Sequence, residues 1–315
     1  MAVVVVAAGA AIFILVAPAF LNIYWMRVLS NVFMFAALAQ ALNIIAGYTG
    51  YPAFGNVVFF GLGAYTVAVL MVRVGVSFWL GVAAGGAFSA AVALLVGPPM
   101  LRLRGHYFAI GTLGLNEAIR AVVDNLTGTT GGGQGLSLPL PEGSALANAI
   151  VFYFLFLGTM VLSTVVTALW ARSRYGYASR AIGSNEEAAG SMGVDATVVK
   201  TLAWGVSAFL TGIVGAIYAY RIGYIEPAAV FDMDTAVKIF VVMLLGGAGT
   251  VFGPVLGALF IEIAATYSWS NFLEYHTLIL GVIIITVAIW LPGGIVAFVR
   301  DRLARARVAF GGGRR

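Results

Sequence analysis

About ten runs of mostly apolar residues follow one another along this chain, most of them close to 20 residues long, and that succession limits what it can fold into. A helix crossing a bilayer needs roughly 20 predominantly apolar residues to span the hydrocarbon. The runs lie near 3–21, 28–46, 56–72, 77–99, 107–123, 147–171, 199–220, 234–247, 250–268 and 276–299. With no water in hydrocarbon to satisfy exposed N–H and C=O groups, such segments must be helical. The expected fold is all-α: a polytopic membrane helix bundle of about ten transmembrane segments, including short or broken helices. Composition agrees, because 62% of the 315 residues are hydrophobic and 9% charged, against about 25% charged in soluble domains. That excludes a soluble globular enzyme and a disordered chain. The formal charge of +5 does not argue for a nucleic-acid partner. The basic residues are scattered between apolar runs or gathered in the tail as Arg300, Arg302, Arg305, Arg307, Arg314 and Arg315. Without cysteine, and with only His106 and His276, the chain has little with which to build a transition-metal site, and none is expected.

Orientation follows the positive-inside rule. Loop 172–200 carries Arg172, Arg174, Arg180 and Lys200, so both it and the tail are expected on the cytoplasmic side. An even number of crossings must then separate them. Stretch 234–268 is too long for one helix and is interrupted by Gly246, Gly247, Gly249 and Gly253-Pro254; dividing it there restores the parity. Arg102 and Arg104 belong on the same side, which makes 125–146, a Gly/Thr/Pro-rich stretch, an extracytoplasmic irregular loop. Arg27 and Arg73 then lie outside, against the rule. Run 3–21 ends in Ala17-Pro18-Ala19, like a signal-peptide cleavage site, but lacks a preceding positive charge and is read as an uncleaved helix. Trp25, Trp79, Trp170, Trp269 and Trp290 fall near segment ends, as an interfacial belt would place them. The domain plan is one membrane unit over 1–299 and a basic cytoplasmic tail over 300–315.

Loop 172–200 carries strong helix punctuation. Ser184 and Glu187 have capping-box spacing, Gly193 suits the left-handed position after a helix, and Val194 suits the apolar contact that follows it. They predict a two-turn helix over 185–192, with Asp195 capping the next helix. Ala188, Ala189 and Gly190 would give it a small-residue face for close docking. So short a helix is marginal alone and needs support from the bundle or a partner.

Within the bilayer a charge costs at least about 2.5–3.5 kcal/mol, so each needs a partner or a cavity. Asn116, Glu117, Arg120 and Asp124 share one helix face, where Glu117 and Arg120 are expected to neutralise each other toward the bundle interior. Glu262 suits snorkelling or a helix–helix bond, and Lys238 follows Asp232 and Asp234 closely. Gln40 and Asn43 precede a Gly- and Pro-containing break marked by Gly47, Gly50 and Asn56. This break and the one at Gly246, Gly247 and Gly249 are the expected pathway elements, since interrupted helices can expose backbone polar groups to a route.

Glu187-Ala188-Ala189 followed by Gly193 resembles the loop of ABC importer permeases that docks in a groove of the ATPase subunit. The wider chain resembles the LivM-type permeases of branched-chain amino-acid importers. The resemblance runs through Leu42 to Gly50, Phe59 to Tyr65, Leu101 to Ile110, Thr129 to Leu136, and Leu244 to Thr250 with Gly253-Pro254. His106 departs from a more usual Asp, and Tyr51 to Asn56 from a Leu/Ser/Gly/His-like stretch where the family's translocation path is expected. The resemblance implies a multi-pass subunit of the bacterial inner membrane that forms half of a pathway for branched-chain amino acids or a related small polar solute. It also implies a second homologous permease chain, two ATPase subunits and an extracytoplasmic solute-binding protein as partners. ATP and Mg would belong to the ATPases. The only lysines, Lys200 and Lys238, follow no phosphate-binding glycine motif, so the chain has no P-loop and no cofactor of its own is expected. The competing expectation is an ion-coupled secondary transporter working without ATPase subunits, with Glu117 or Glu262 as coupling sites.

Overall fold

The computed structural model describes residues 17–139, 141–271, 281 and 294–296. Of the expected segments, 3–21 and 276–299 therefore lie almost wholly outside the described residues, as does Trp290. The rest is helical. Helix α1 (Ile23–Leu42) is capped by Asn22, whose Oδ1 accepts from Trp25 N at 3.0 Å, and runs into a π turn over Asn43–Gly47. A short 3-10 turn, Phe54–Asn56, leads into α2 (Val57–Val69), which widens into a second π turn, Leu70–Val74. Next come α3 (Phe78–Met100) and α4 (His106–Asn125). Helix α5 (Ala145–Arg172) starts at Ser144, whose hydroxyl accepts from Ala147 N. The loop helices α6 (Arg174–Ser184) and α7 (Glu186–Ser191) precede α8 (Ala196–Ile222). Finally α9 (Met233–Gly246) and α10 (Gly253–Asn271) flank the expected glycine interruption.

Five of these stretches are long and apolar enough to cross a membrane: 23–47, 54–74, 78–100, 145–172 and 196–222. Helix α4 is more polar, and α9 and α10 are a shorter pair around a break.

Helix α8 forms the centre, packed on α3, α2 and α1, while α1 also carries α5 and α10. Small residues allow this closeness. A Cβ on Gly63 of α2 would overlap the carbonyl oxygen of Gly212 of α8, so the two backbones touch directly. Close backbone approach through small residues is how helices associate where lipid is as apolar as the side chains. Of the predicted tryptophan belt, Trp25 and Trp79 are exposed. Trp170 is buried and stacked on Tyr175, because α6 folds back beneath the end of α5.

Loop 125–146 is more ordered than its composition suggests. It makes a helical turn at Thr127–Thr130 and a 3-10 turn at Gly132–Gln134. Strand β1 (Leu136–Ser137) then pairs antiparallel with β2 (Tyr224–Ile225), just after α8. Leu136 and Leu138 are buried, and Tyr224 Oη donates to Gln134 O at 2.7 Å. At the other end of the bundle an ion pair of 3.5 Å, Arg104 Nη1 to Glu187 Oε1, joins the turn before α4 to α7.

Candidate functional site

Helix α7 is built largely as its punctuation predicts, with one correction. Ser184 is not its cap. It closes α6, its hydroxyl donating to Arg180 O, and the helix predicted over 185–192 is observed as α7, Glu186–Ser191, with α6 meeting it at Asn185. Asn185 takes the extended conformation, and its Oδ1 accepts from Ala188 N at 3.0 Å. An Asn caps as well as a Ser, and with the cap one residue later Glu187 loses capping-box register. The C-terminus follows expectation. Gly193 has φ +86°, and its N–H donates to Gly190 O while Val194 N–H donates to Ala189 O, closing the last turn. Asp195 Oδ1 accepts from Val198 N and starts α8. The expected small-residue face is split: Ala189 is buried, whereas Ala188 and Gly190 face outward.

Beneath α7 lies a cluster that spacing along the sequence could not reveal. Lys200, in the first turns of α8, is 1% exposed. Its Nζ donates to Glu186 Oε1 at 2.8 Å and to Tyr51 Oη at 2.8 Å, approaches Leu101 O at 3.5 Å, and stands 4.0 Å above the Tyr51 ring. Tyr51 Oη in turn donates to Glu186 Oε2 at 2.5 Å. Burial pushes the Glu186 carboxyl upward, but the hydrogen bonds and charge of Lys200 and Tyr51 outweigh it and hold the group below its ordinary 4.5. Burial, and then the bond to Glu186, push the Tyr51 hydroxyl upward, so it stays a donor. The cluster thus ties α7, the start of α8, the turn after α3 and the break after α1 into one unit. On the far side Glu187 and Met192 are exposed, and a Cβ on Gly190 would meet nothing.

The two predicted pathway breaks come together, though in a different way from that expected. Asn43 Nδ2 donates to Thr250 O at 2.8 Å, and its Oδ1 accepts from Gly249 N at 2.8 Å. Gln40 Nε2 donates to Val251 O. Both side chains are fully buried, and the two amide nitrogens and the Asn43 oxygen bond the backbone of the second break, replacing hydrogen bonds the interrupted helices cannot make; Gln40 Oε1 has no partner among the described residues. A Cβ on Gly47 would overlap Asn43 Oδ1 and lie 2.7 Å from Gly249 N. Gly246 and Gly247 complete the crossing, and a Cβ on Gly294 would lie 2.5 Å from Gly247 Cα. Gly50 packs near Gly183 of α6, at the α7 end of the bundle. Asn56 is also internal: it donates to Thr211 Oγ1, and its Oδ1 accepts from the Trp204 indole at 3.2 Å.

The charged face of α4 divides as well. Asn116 is buried and donates to Phe231 O at 2.9 Å. Glu117 and Arg120 pair at 3.7 Å, but are 54% and 35% exposed, so the pair faces out of this chain and not into its interior. Helical spacing alone cannot say which neighbour stands opposite. Lys238 and Glu262 pair across α9 and α10 at 2.5 Å.

A soluble-type site is not what this geometry offers. Instead, an exposed loop helix is rigidly linked to the central membrane helices. The family model for the permease component of branched-chain amino-acid transport systems matches residues 24–288. The chain belongs to that family. The permease is 31% identical to the high-affinity branched-chain amino-acid transport system permease protein LivM of Salmonella typhimurium, over 86% of this chain and 69% of the relative. The LivM protein of Escherichia coli gives the same identity and coverage. A more distant likeness, 29% over 51% of the permease and 46% of the relative, links it to the autoinducer 2 import system permease protein LsrC of Salmonella typhimurium. No solved structure matches.

Proposed function

We propose that this permease is one of two homologous membrane subunits of an ATP-driven importer, carrying branched-chain amino acids or a related small polar solute. The observation that carries the reading is the two-sidedness of α7: an exposed outer surface over an inner surface locked to the bundle through Lys200. A partner pressing on Glu187, Ala188 and Gly190 would not deform a loose loop. It would move the start of α8 through Lys200 and the break after α1 through Tyr51. Those are the two helices around which the rest pack. Closure of two ATPase subunits that hold ATP and Mg is the motion that would drive it. An extracytoplasmic binding protein would deliver the solute at the β1–β2 end. The names of the LivM relatives support an amino-acid cargo, while the more distant likeness to LsrC, named for autoinducer 2 import, keeps the related small polar solute in the reading.

The same reading puts the C-terminal side of the chain in the cytoplasm. Gly294 abuts Gly247, Gly249 abuts Gly47, and Gly50 lies near Gly183 at the end of α6, so this run of contacts leads toward the α7 end. The test is affinity purification of the tagged chain from its native membrane, followed by an ATPase assay. Co-purified ATPase subunits, stimulated by a solute-binding protein, are expected. A chain that purifies alone and moves solute on an ion gradient would overturn the reading.

A further inference from the structure

Charge gathers at a second place, toward the end of the bundle opposite α7. The first turns of α1 present Tyr24, Arg27 and Asn31 on one helical face, at spacings of three and four. Together with Lys238 of α9, and Glu262 and Thr266 of α10, they line an open cleft of about 440 Å³. That is within the range of small-molecule sites. Lys238 Nζ lies 2.5 Å from Glu262 Oε1 and 4.0 Å above the Phe35 ring. The Glu262 side chain is 5% exposed, whereas Lys238 is 30% open. Arg221 Nη1 donates to Asn31 Oδ1 at 2.9 Å and fixes that amide.

A helix–helix strut accounts for the Lys238–Glu262 pair but not for its surroundings. Two cations face the cleft against one carboxylate, and among the described residues Arg27 has no ion-pair partner. An ammonium has three donor positions, and Lys238 uses one on a carboxylate. Arg27 is exposed in the first turns of α1, beside Trp25, where water can solvate it and a ligand carboxylate can replace that water. Among the described residues no carboxylate stands beside Arg27. What Glu262 could accept in exchange for Lys238 is a second ammonium.

We propose that this cleft binds a small zwitterion, a free α-amino acid, on its way through the chain. The ligand carboxylate sits between Arg27 and Lys238 and the ligand ammonium on Glu262. The net charge of the site is unchanged, and one ion pair becomes two. A simple carboxylate would neutralise Arg27 but leave Glu262 on Lys238 and gain only the one new pair, and a simple amine would add a third cation; the zwitterion alone engages all three charged groups. The proposal rests on the amino-acid reading above.

The test uses the full-length chain in lipid nanodiscs with tritiated leucine as probe, read by scintillation proximity. Saturable binding at millimolar leucine is expected, competed by unlabelled leucine but not by equal concentrations of isovalerate or isoamylamine. Arg27→Ala and Glu262→Gln should each weaken binding at least about tenfold. Arg27→Ala leaves the ion pair intact and should melt as the wild type does. The exchanged pair, Lys238→Glu with Glu262→Lys, checks the strut: it should fold but fail to bind. A cooperatively melting wild-type chain without saturable leucine binding would overturn the proposal. So would wild-type binding by Arg27→Ala, or competition by isovalerate equal to that of leucine. Co-purified ATPase with no leucine binding would sink the cleft alone, while leucine binding without any ATPase would sink the importer reading and leave the cleft standing.

Discussion

The chain has two lysines, and each is paired with a glutamate at one end of the bundle, yet their surroundings differ in kind. Lys200 is enclosed. Its ammonium has Glu186, Tyr51 and the Leu101 carbonyl around it and an aromatic face beneath it, with almost no exposure. Lys238 has a single carboxylate and a ring, and part of it opens into a cleft shared with Arg27. A buried ion whose donors are all taken can only hold parts together, and removing it strands the others. A half-open ion with unused donors can exchange partners. The first is the chemistry of a strut and the second that of a binding site, although in sequence the two are the same residue type in apolar runs.

The largest effect should come from breaking the enclosed pair. Lys200→Ala leaves Glu186 and Tyr51 without their cation and should cost about 3 kcal/mol, read as a lower melting temperature in detergent, with uptake abolished. Lys238→Ala is expected to cost less, because its Nζ is partly solvated and water can take its place. Equal losses from the two would remove the distinction drawn between them. Next in size is Gly47→Ala, where the added methyl collides with Asn43 Oδ1 and displaces the amide that holds Gly249. Overpacking of this kind costs about 1–3 kcal/mol. Melting curves should show the loss in Gly47→Ala and none in Gly114→Ala, whose Cβ would meet nothing.

How far such features could be read beforehand depended on how local they were. Apolar runs of bilayer length gave the helices, because that requirement is met within each segment. Gly193 and Asp195 were legible for the same reason: caps are satisfied within three or four residues. The division at Gly246–Gly253 followed from parity and glycine content. Long-range pairing was not legible. Nothing near Tyr51 points to Glu186, 135 residues away, and Glu186 was overshadowed by Glu187, which has the capping spacing but not the burial. The rarity of lysine, with Lys200 just inside an apolar run, was the one signal that could have marked the cluster. The amides of Gln40 and Asn43 stand out in the sequence beside the break, but their backbone partners 206 and more residues away do not. In this structure they are buried and tie the two breaks together, because a buried backbone without hydrogen bonds is more costly than a buried amide with them.

A smaller effect sharpens the inner cluster through pH. The folded Glu186 carboxyl is held below its ordinary 4.5. Its contribution is therefore fully present above that value and is lost as pH falls through the folded value, where the unfolded chain binds the proton first. Acidification below about pH 4.5 should lower the melting temperature of the wild type more than that of Glu186→Gln, which carries no titrating group there. Parallel curves for the two proteins would mean that Glu186 is not the carboxylate that Lys200 holds.

The smallest expected effect on stability falls on the residue proposed to matter most for coupling. Glu187 lies 3.5 Å from Arg104, with the two side chains 84% and 66% exposed, and exposed pairs contribute about 0–1 kcal/mol. Glu187→Ala should therefore melt as the wild type does, insert normally, and still fail in ATP-coupled uptake, because what it loses is an outward contact and not an internal one. Arg104→Ala separates the alternatives: if the Arg104–Glu187 pair itself were the functional element, both variants would fail alike. If Glu187 serves a docking partner, Arg104→Ala should retain most uptake while Glu187→Ala does not. Normal uptake in Glu187→Ala would move the coupling surface away from α7, while leaving the Lys200 cluster as a strut with nothing yet to pull on it.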